Sequence, residues 1–439
     1  MASGSEKQMM GMWMTSALVV GTIIGAGIFM LPVALAPLGM NAVIGWLVSG
    51  AGILCIAYGM ARLSRLGGQG IQANIEKEFG PTVAFLVAWS FWISNCAAQA
   101  SIAIGTASAL SFAGIDFGGQ TGVLLFAIFW LVALTALNAA GVRAVGGFSI
   151  VTVAIKILPL LAVIWLFAER GVRGQPYVSM PAVAVDFASV AAATALTFYA
   201  LTGFEAATTP VGKVRDAERT IPRAVIGGTA VVVVLYLFAG TGLQLLLPAD
   251  VIVNSPAPFA DALVAEWGQG AAVFAALTIA IAAIGCLNGV ILASGELAYS
   301  MALRGDLPAI LKKTRGVNTP VVAQVASSGL SLLLLLANSS RNTANLFTFV
   351  VLVSTAAVVV VYLTAVLAAW KASPAPHSKI ILVFAITFLA FATYGIGLEP
   401  ALWSLALLAA GLGVRALMGR LNSLGSSQAP VAAQAVPPE

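Results

Sequence analysis

No Asp, Glu, Lys or Arg occurs anywhere from Trp13 to Ala61. A helix that crosses a bilayer needs about 20 mainly apolar residues, so this stretch alone holds two crossings. The rest of the chain continues in the same way, its charges clumped between long neutral runs. Charged residues make up 8% of the whole and hydrophobic residues 60%, where a soluble domain carries about a quarter charged residues. Mean hydropathy is +1.01. Reading the neutral runs against the length requirement predicts twelve spans. They fall near 12–37, 41–61, 80–110, 121–140, 148–168, 187–211, 223–247, 269–303, 320–338, 344–370, 380–397 and 400–418. The expectation is one all-α polytopic membrane domain over 12–420, preceded by a short cytoplasmic segment at 1–11. The remainder, 421–439, is rich in Ser, Gln, Ala and Pro and is expected to be a disordered cytoplasmic tail.

Positive charge orients the bundle. With both termini cytoplasmic, only Arg170, Arg173 and Arg341 fall outside, Lys156 lies within a span, and the other Lys and Arg fall inside, as the positive-inside rule requires. Dropping one span would scramble that segregation. The net charge of +5 therefore reflects topology in a cytoplasmic (inner) membrane and does not call for nucleic acid. The first apolar run is too long for a cleavable signal peptide. Cys55, Cys96 and Cys286 all lie inside spans, an odd set that fits neither a disulfide framework nor a metal site. The lone His377, beside Lys379, reads as a solvated loop residue.

Glycine interrupts the first span at Gly21, Gly25 and Gly27, within Gly21-Thr22-Ile23-Ile24-Gly25-Ala26-Gly27-Ile28-Phe29-Met30-Leu31-Pro32. Glycine leaves a helix free to bend or unwind, and irregular backbone at membrane depth persists only where it is buried in protein or lines a cavity. Close helix packing through small residues is the competing explanation. A second interruption follows in span six, at Phe198-Tyr199-Ala200-Leu201-Thr202-Gly203-Phe204-Glu205. Five spans separate the two, an odd number, so they run through the membrane in opposite senses. Paired breaks at corresponding positions of an inverted repeat point to the binding site of a secondary transporter.

At these residues the chain resembles the amino acid–polyamine–organocation superfamily, and more closely its bacterial arginine/agmatine antiporters and related amino acid exchangers. The resemblance is carried by Gly21–Pro32, by Trp92-Ile93-Ser94-Asn95, and by Gly203-Phe204-Glu205 with Arg219-Thr220-Ile221-Pro222-Arg223-Ala224. Gly285-Cys286-Leu287 through Gly305-Asp306-Leu307-Pro308 extends it across span eight. It implies a five-plus-five inverted repeat with broken helices one and six, two further helices, and a substrate held near the midplane. A homodimer is compatible with it, and no cofactor is implied.

A zwitterionic amino acid presents a carboxylate and an ammonium. Amides freed after a helix break suit the first, and carbonyls freed before a break suit the second. By the resemblance, the amides of Ala26 and Gly27 take the carboxylate and the carbonyls of Ile23, Tyr199 and Thr202 take the amine. The side-chain pocket departs from arginine carriers, since Val290 stands where they place a large span-eight aromatic and Tyr199 where they have a tryptophan. Asn95 and Ser354 remain as polar candidates, with Ser90 and Phe91 nearby. Losing the aromatic removes a cation-stacking surface worth about 1–2 kcal/mol when desolvated, so a neutral amino acid is expected, moved by exchange or with proton coupling. A cationic amino acid or polyamine antiporter is the alternative.

Two charged residues lie at membrane depth. Lys156 is costly there, by about 3 kcal/mol, and is expected to act as a proton switch or as a fixed cation against the span-one break; a snorkelling anchor is the bland reading. Glu205, just past the second break, gates the half-helices, titrates, or is an acid satisfied by nearby amides. Glu296, toward the cytoplasmic end of span eight, is expected to pair with cytoplasmic arginines. One histidine and three scattered cysteines give an enzyme neither a nucleophile–base pair nor a metal cluster. A channel would show charge rings or a repeated filter, and direct ATP drive would need a phosphate loop.

Overall fold

A computed structural model of the protein describes residues 10–25, 27–64, 71–140, 149–205, 214–315, 319–373 and 375–427, nearly all of them helical. The helices are α1 Met12–Ile23, α2 Gly27–Leu35, α3 Met40–Leu63, α4 Ile71–Phe112, α5 Gln120–Ala139, α6 Ser149–Val172 and α7 Phe187–Ala200. They continue as α8 Ala217–Leu246, α9 Ala249–Asn254, α10 Pro258–Leu303, α11 Val321–Ala337, α12 Thr343–Lys371, α13 Pro376–Ile396 and α14 Leu398–Ser427. Among the described residues eight helices are long and apolar enough to cross a membrane, nine when the bent pair α1–α2 counts as one span. α7 and α11 are shorter apolar helices. The chain is a multi-pass membrane protein.

Two boundaries differ from expectation. α14 continues to Ser427, past the limit of 420 set by hydropathy, because a helix can run on into water once its span has ended. His377 lies in the first turn of α13, exposed as foreseen but helical and not in a loop, since Pro376 with its fixed φ starts the helix there.

The first glycine-rich segment does break its helix. α1 and α2 meet at a bend of 43°. The Gly25 amide turns back to the Ile23 carbonyl at 2.7 Å instead of reaching Gly21 four residues earlier, which ends the helical ladder. α7 likewise stops at Ala200. The Leu201 amide donates to Phe198 and the Thr202 amide to Tyr199, at 3.0 and 3.2 Å, and Gly203 then takes φ +112, a region that side chains other than glycine's avoid.

A second pair of glycines matches in the same way. α4 and α10 each begin with a short segment that turns into the long helix at one residue, Gly80 (φ 82, ψ 173) and Gly268 (φ 79, ψ 170). This conformation is essentially restricted to glycine. α4 packs along both α10 and α12, while α3 packs on α7 and α8, and α1 on α8. A buried polar seam joins α4, α5, α10 and α11. Trp92 Nε1 donates to Ser327 at 2.7 Å, Gln99 Nε2 to Ser294 at 2.6 Å, and Asn138 to Asn288 at 2.8 Å. Such bonds between membrane helices contribute about 0.6 kcal/mol each, so the seam adds to the packing that holds these four helices together.

Candidate functional site

The end of α1, the start of α2 and the end of α7 converge with α4, α10 and α12 on a cavity of about 100 Å³. A single water needs about 10–15 Å³ on this measure, so the space holds a small polar ligand or several waters. The two breaks touch. A side chain on Gly203 would begin 2.7 Å from the Thr22 carbonyl oxygen, which no Cβ tolerates, so glycine is required there by contact as well as by φ. The second contact is at Gly27, where an added Cβ would sit 2.7 Å from Cε1 of Tyr199. The edge of the Tyr199 ring is thereby set against the first turn of α2, and its hydroxyl is fixed to Ser101 of α4 at 2.6 Å.

Of the expected binding residues, Ile23, Gly27, Asn95, Tyr199, Thr202, Val290 and Ser354 all line the cavity. Ala26 lies outside the described residues. Gly27 opens α2, whose first-turn amides have no helical acceptor and carry the positive dipole end. The carbonyls are less free than the sequence suggested. That of Ile23 accepts from the Gly25 amide and from the Tyr236 hydroxyl at 3.2 Å. That of Tyr199 accepts from the amide and the hydroxyl of Thr202, the latter at 2.8 Å. Among the described residues no donor reaches the Thr202 carbonyl, so it is the acceptor best placed for an ammonium.

The polar side chains divide similarly. Ser354 is bonded to Ser94, hydroxyl to hydroxyl at 2.8 Å and hydroxyl to carbonyl at 3.0 Å, so it joins α12 to α4. Asn95 donates its amide to Phe91 at 2.9 Å, which leaves its side-chain oxygen for a ligand. Ser90 bonds its own helix at Leu86 and is wholly buried, away from the lining, whereas Phe91 is part of it.

Lys156, on α6, is buried, and its Nζ donates to the Gly21 carbonyl at 3.3 Å. That carbonyl is the one the Gly25 amide would take in an unbroken helix. Glu205 is buried, and its Oε2 accepts from the Gly203 amide at 3.0 Å and the Tyr362 hydroxyl at 2.7 Å. It therefore ties the α7 break to α12. Glu296 departs from expectation. It is exposed and in no ion pair among the described residues; of the arginines expected on the cytoplasmic side, Arg304 bonds Glu76 at 3.0 Å and Arg415 bonds Asp306 at 2.9 Å.

Sequence reasoning missed Tyr236, Tyr362 and Ser101. A tyrosine in mid-span is a usable signal, since a buried hydroxyl needs a partner, but the partner's identity depends on helix packing. A serine in an apolar helix usually bonds back to its own turn, so Ser101 gave no warning.

A membrane-embedded cavity at two glycine-broken helix ends, closed by backbone, neutral polar groups and the already bonded Glu205, is the site of a solute transporter. The chain belongs to the amino acid permease family, matched over residues 10–413. It is 28% identical to the putrescine transporter PotE of Haemophilus influenzae, over 83% of this chain and 84% of that one. It is also 28% identical to a Bacillus subtilis protein named for arginine/ornithine antiport, over 82% and 84%. The cadaverine/lysine antiporter of Escherichia coli K12 is 26% identical over 78% of each chain.

Proposed function

We propose that the chain is a secondary exchanger of cationic amino acids or the diamines related to them, working by alternating access in the cytoplasmic membrane. The observation that carries this is the meeting of the two breaks at one cavity, with Gly203 against Thr22 and Tyr199 against Gly27. The α2 amides, starting at Gly27, suit a carboxylate where the substrate has one, and by the resemblance the Ala26 amide joins them. The Thr202 carbonyl and the Asn95 oxygen suit an ammonium, and Ile23 and Tyr199 contribute carbonyls if Tyr236 and Thr202 let go. The names of the relatives favour the cationic class.

Neutral amino acids are a second reading. Val290 offers a cation no aromatic surface, and Glu205, the carboxylate lining the cavity, is already engaged by two donors. The alternating-access reading rests on a twelve-span, five-plus-five inverted repeat with both termini cytoplasmic. The matched turns at Gly80 and Gly268 support it, since they open spans three and eight and thus stand five spans apart like the breaks. α6, α7 and α11 complete the twelve. Lys156 then acts as the cation that holds α1 at Gly21, and Glu205 as the latch of α7, with protons as a coupling ion if either releases one.

A thermal-shift panel on purified full-length protein tests the substrate class. Ornithine, arginine, lysine, putrescine and cadaverine are expected to raise the melting temperature, since a ligand at 100 times its Kd stabilises by about 2.7 kcal/mol. Stabilisation by leucine, methionine or alanine alone would select the neutral reading.

A further inference from the structure

The last carbonyls of α1 have no helical donor beyond the break, and two neighbouring helices send side chains to them. Lys156 of α6 takes that of Gly21, and Tyr236 of α8 takes that of Ile23. Tyr236 is wholly buried, its ring edge-on to Trp46 with centroids 5.8 Å apart. Its one hydrogen bond among the described residues is the one to Ile23. A phenylalanine would fill the same space, so the hydroxyl calls for a reason of its own.

The reason lies in what that bond occupies. A carbonyl oxygen has two lone pairs, and on Ile23 the Gly25 amide takes one at 2.7 Å and the Tyr236 hydroxyl the other at 3.2 Å. Ile23 lines the cavity and Tyr236 does not. An ammonium in the cavity therefore gains this acceptor only if one of the two bonds gives way. The Gly25 bond belongs to the backbone turn that ends α1. The Tyr236 bond is longer than the about 2.7–2.8 Å usual for a hydroxyl donor. It is also neutral, and a bond from a charged donor is roughly twice as strong. The hydroxyl is the group that yields. The Tyr199 carbonyl is filled as well, but by the amide and hydroxyl of Thr202 in its own turn. At Ile23 the competing group comes from another helix.

We infer that Tyr236 is a built-in competitor for the substrate's ammonium at the Ile23 carbonyl, and that it sets amine affinity low enough for the substrate to leave as readily as it arrives. This deepens the exchanger reading and rests on it. The group recognised is a primary ammonium, which cationic amino acids, neutral amino acids and diamines all carry. When the ammonium takes the carbonyl, α1 gives up its bond to α8, the helix on which it packs. Removing the hydroxyl therefore tightens binding and slows release, so that KM and the maximal exchange rate fall together. A hydroxyl with a structural role alone would, on removal, weaken binding or leave it unchanged.

The test compares purified full-length parent with Tyr236→Phe, each titrated with arginine, putrescine and leucine, and exchange is measured in liposomes on the same preparations. For whichever of these binds the parent, Tyr236→Phe is expected to lower Kd about three- to tenfold, the net worth of one hydrogen bond, with KM and maximal rate both reduced. Trp46→Phe alters packing on the same ring without touching the hydroxyl and is expected to keep the parental Kd. Weaker or unchanged binding in Tyr236→Phe, or equal tightening in Trp46→Phe, overturns the inference. A second measurement needs no variant. Adding the bound ligand to the parent is expected to move a tyrosine band in the ultraviolet difference spectrum to shorter wavelength, as a phenol does when it stops donating. A spectrum without that band overturns the displacement. If none of the three ligands binds the parent, the exchanger reading falls and the role of Tyr236 with it, whereas binding without these effects removes the role of Tyr236 alone.

Discussion

At the scale of single residues, the site is held by contacts that leave no room for a methyl group. Gly27→Ala would place a Cβ 2.7 Å from the Tyr199 ring, so it is expected to cut exchange at least about tenfold, the size of effect a misplaced binding group produces, while the protein still purifies as a folded species. Shortening the ring in Gly27→Ala/Tyr199→Leu is expected to return part of the activity, and a double variant no better than the single would remove steric contact as the cause. Lys156 is the other test at this scale. Lys156→Ala is expected to abolish most transport without loss of expression, because the Gly21 carbonyl loses its donor. Lys156→Gln separates two roles: exchange retained without pH dependence marks a proton switch, and exchange lost at every pH marks a fixed cation. Transport unchanged in Lys156→Ala would leave the lysine as a membrane anchor. The sequence made Lys156 visible through the cost of a charge in lipid, and Gly27 through its place in a glycine-rich span. It gave no sign that Tyr236 and Thr202 occupy the carbonyls expected to meet the amine, since those bonds depend on how α8 and the α7 end fold back on the site.

At the scale of elements, glycine conformation and one helix cap are the controlling features. Gly80 and Gly268 stand in open space, so replacing either by alanine is penalised by φ and ψ alone, about 1–3 kcal/mol. A lower melting temperature for both variants, with exchange retained below it, is the expected result; no change in melting would show that the turns carry no strain. Asp186 caps α7, accepting from the amide and hydroxyl of Ser189 at 2.9 and 2.6 Å. Those bonds hold its carboxyl below the usual range. A depressed folded-state value means the cap contributes fully above the unfolded pKa of about 4, and is lost as pH falls through the folded value. Asp186→Ala is therefore expected to melt earlier than the parent at pH 7, with the gap closing under acid, as followed by fluorescence-detected unfolding. The spans themselves were legible because lipid imposes a length and forbids charge. The turns at Gly80 and Gly268 were not, since a glycine at a helix start looks the same in sequence whether or not its φ is positive.

At the scale of the whole molecule, the polar seam ties α4, α5, α10 and α11 together, and the breaks in α1 and α7 face that group across the cavity. On the alternating-access proposal, the bonds of Lys156 to Gly21 and of Glu205 to Gly203 and Tyr362 are the ones that change partners between states. Hydropathy and charge placed the chain in the membrane and the glycine pairs located the cavity. Substrate class was the least legible feature, because main-chain recognition is shared by every amino acid and the pocket side chains are few and mostly neutral. The expectation of a neutral substrate came from Val290 and Tyr199, standing where arginine carriers have larger aromatics, and from the lack of an acidic residue in the aligned pocket; the named relatives weigh toward cations. Counterflow in liposomes containing the purified protein tests the central claim most directly. Labelled ornithine or putrescine is expected to accumulate only when the same solutes are present inside, and far less when the lumen is empty. Uptake no greater than in protein-free liposomes, for every amino acid and diamine tried under both loading conditions, would contradict it.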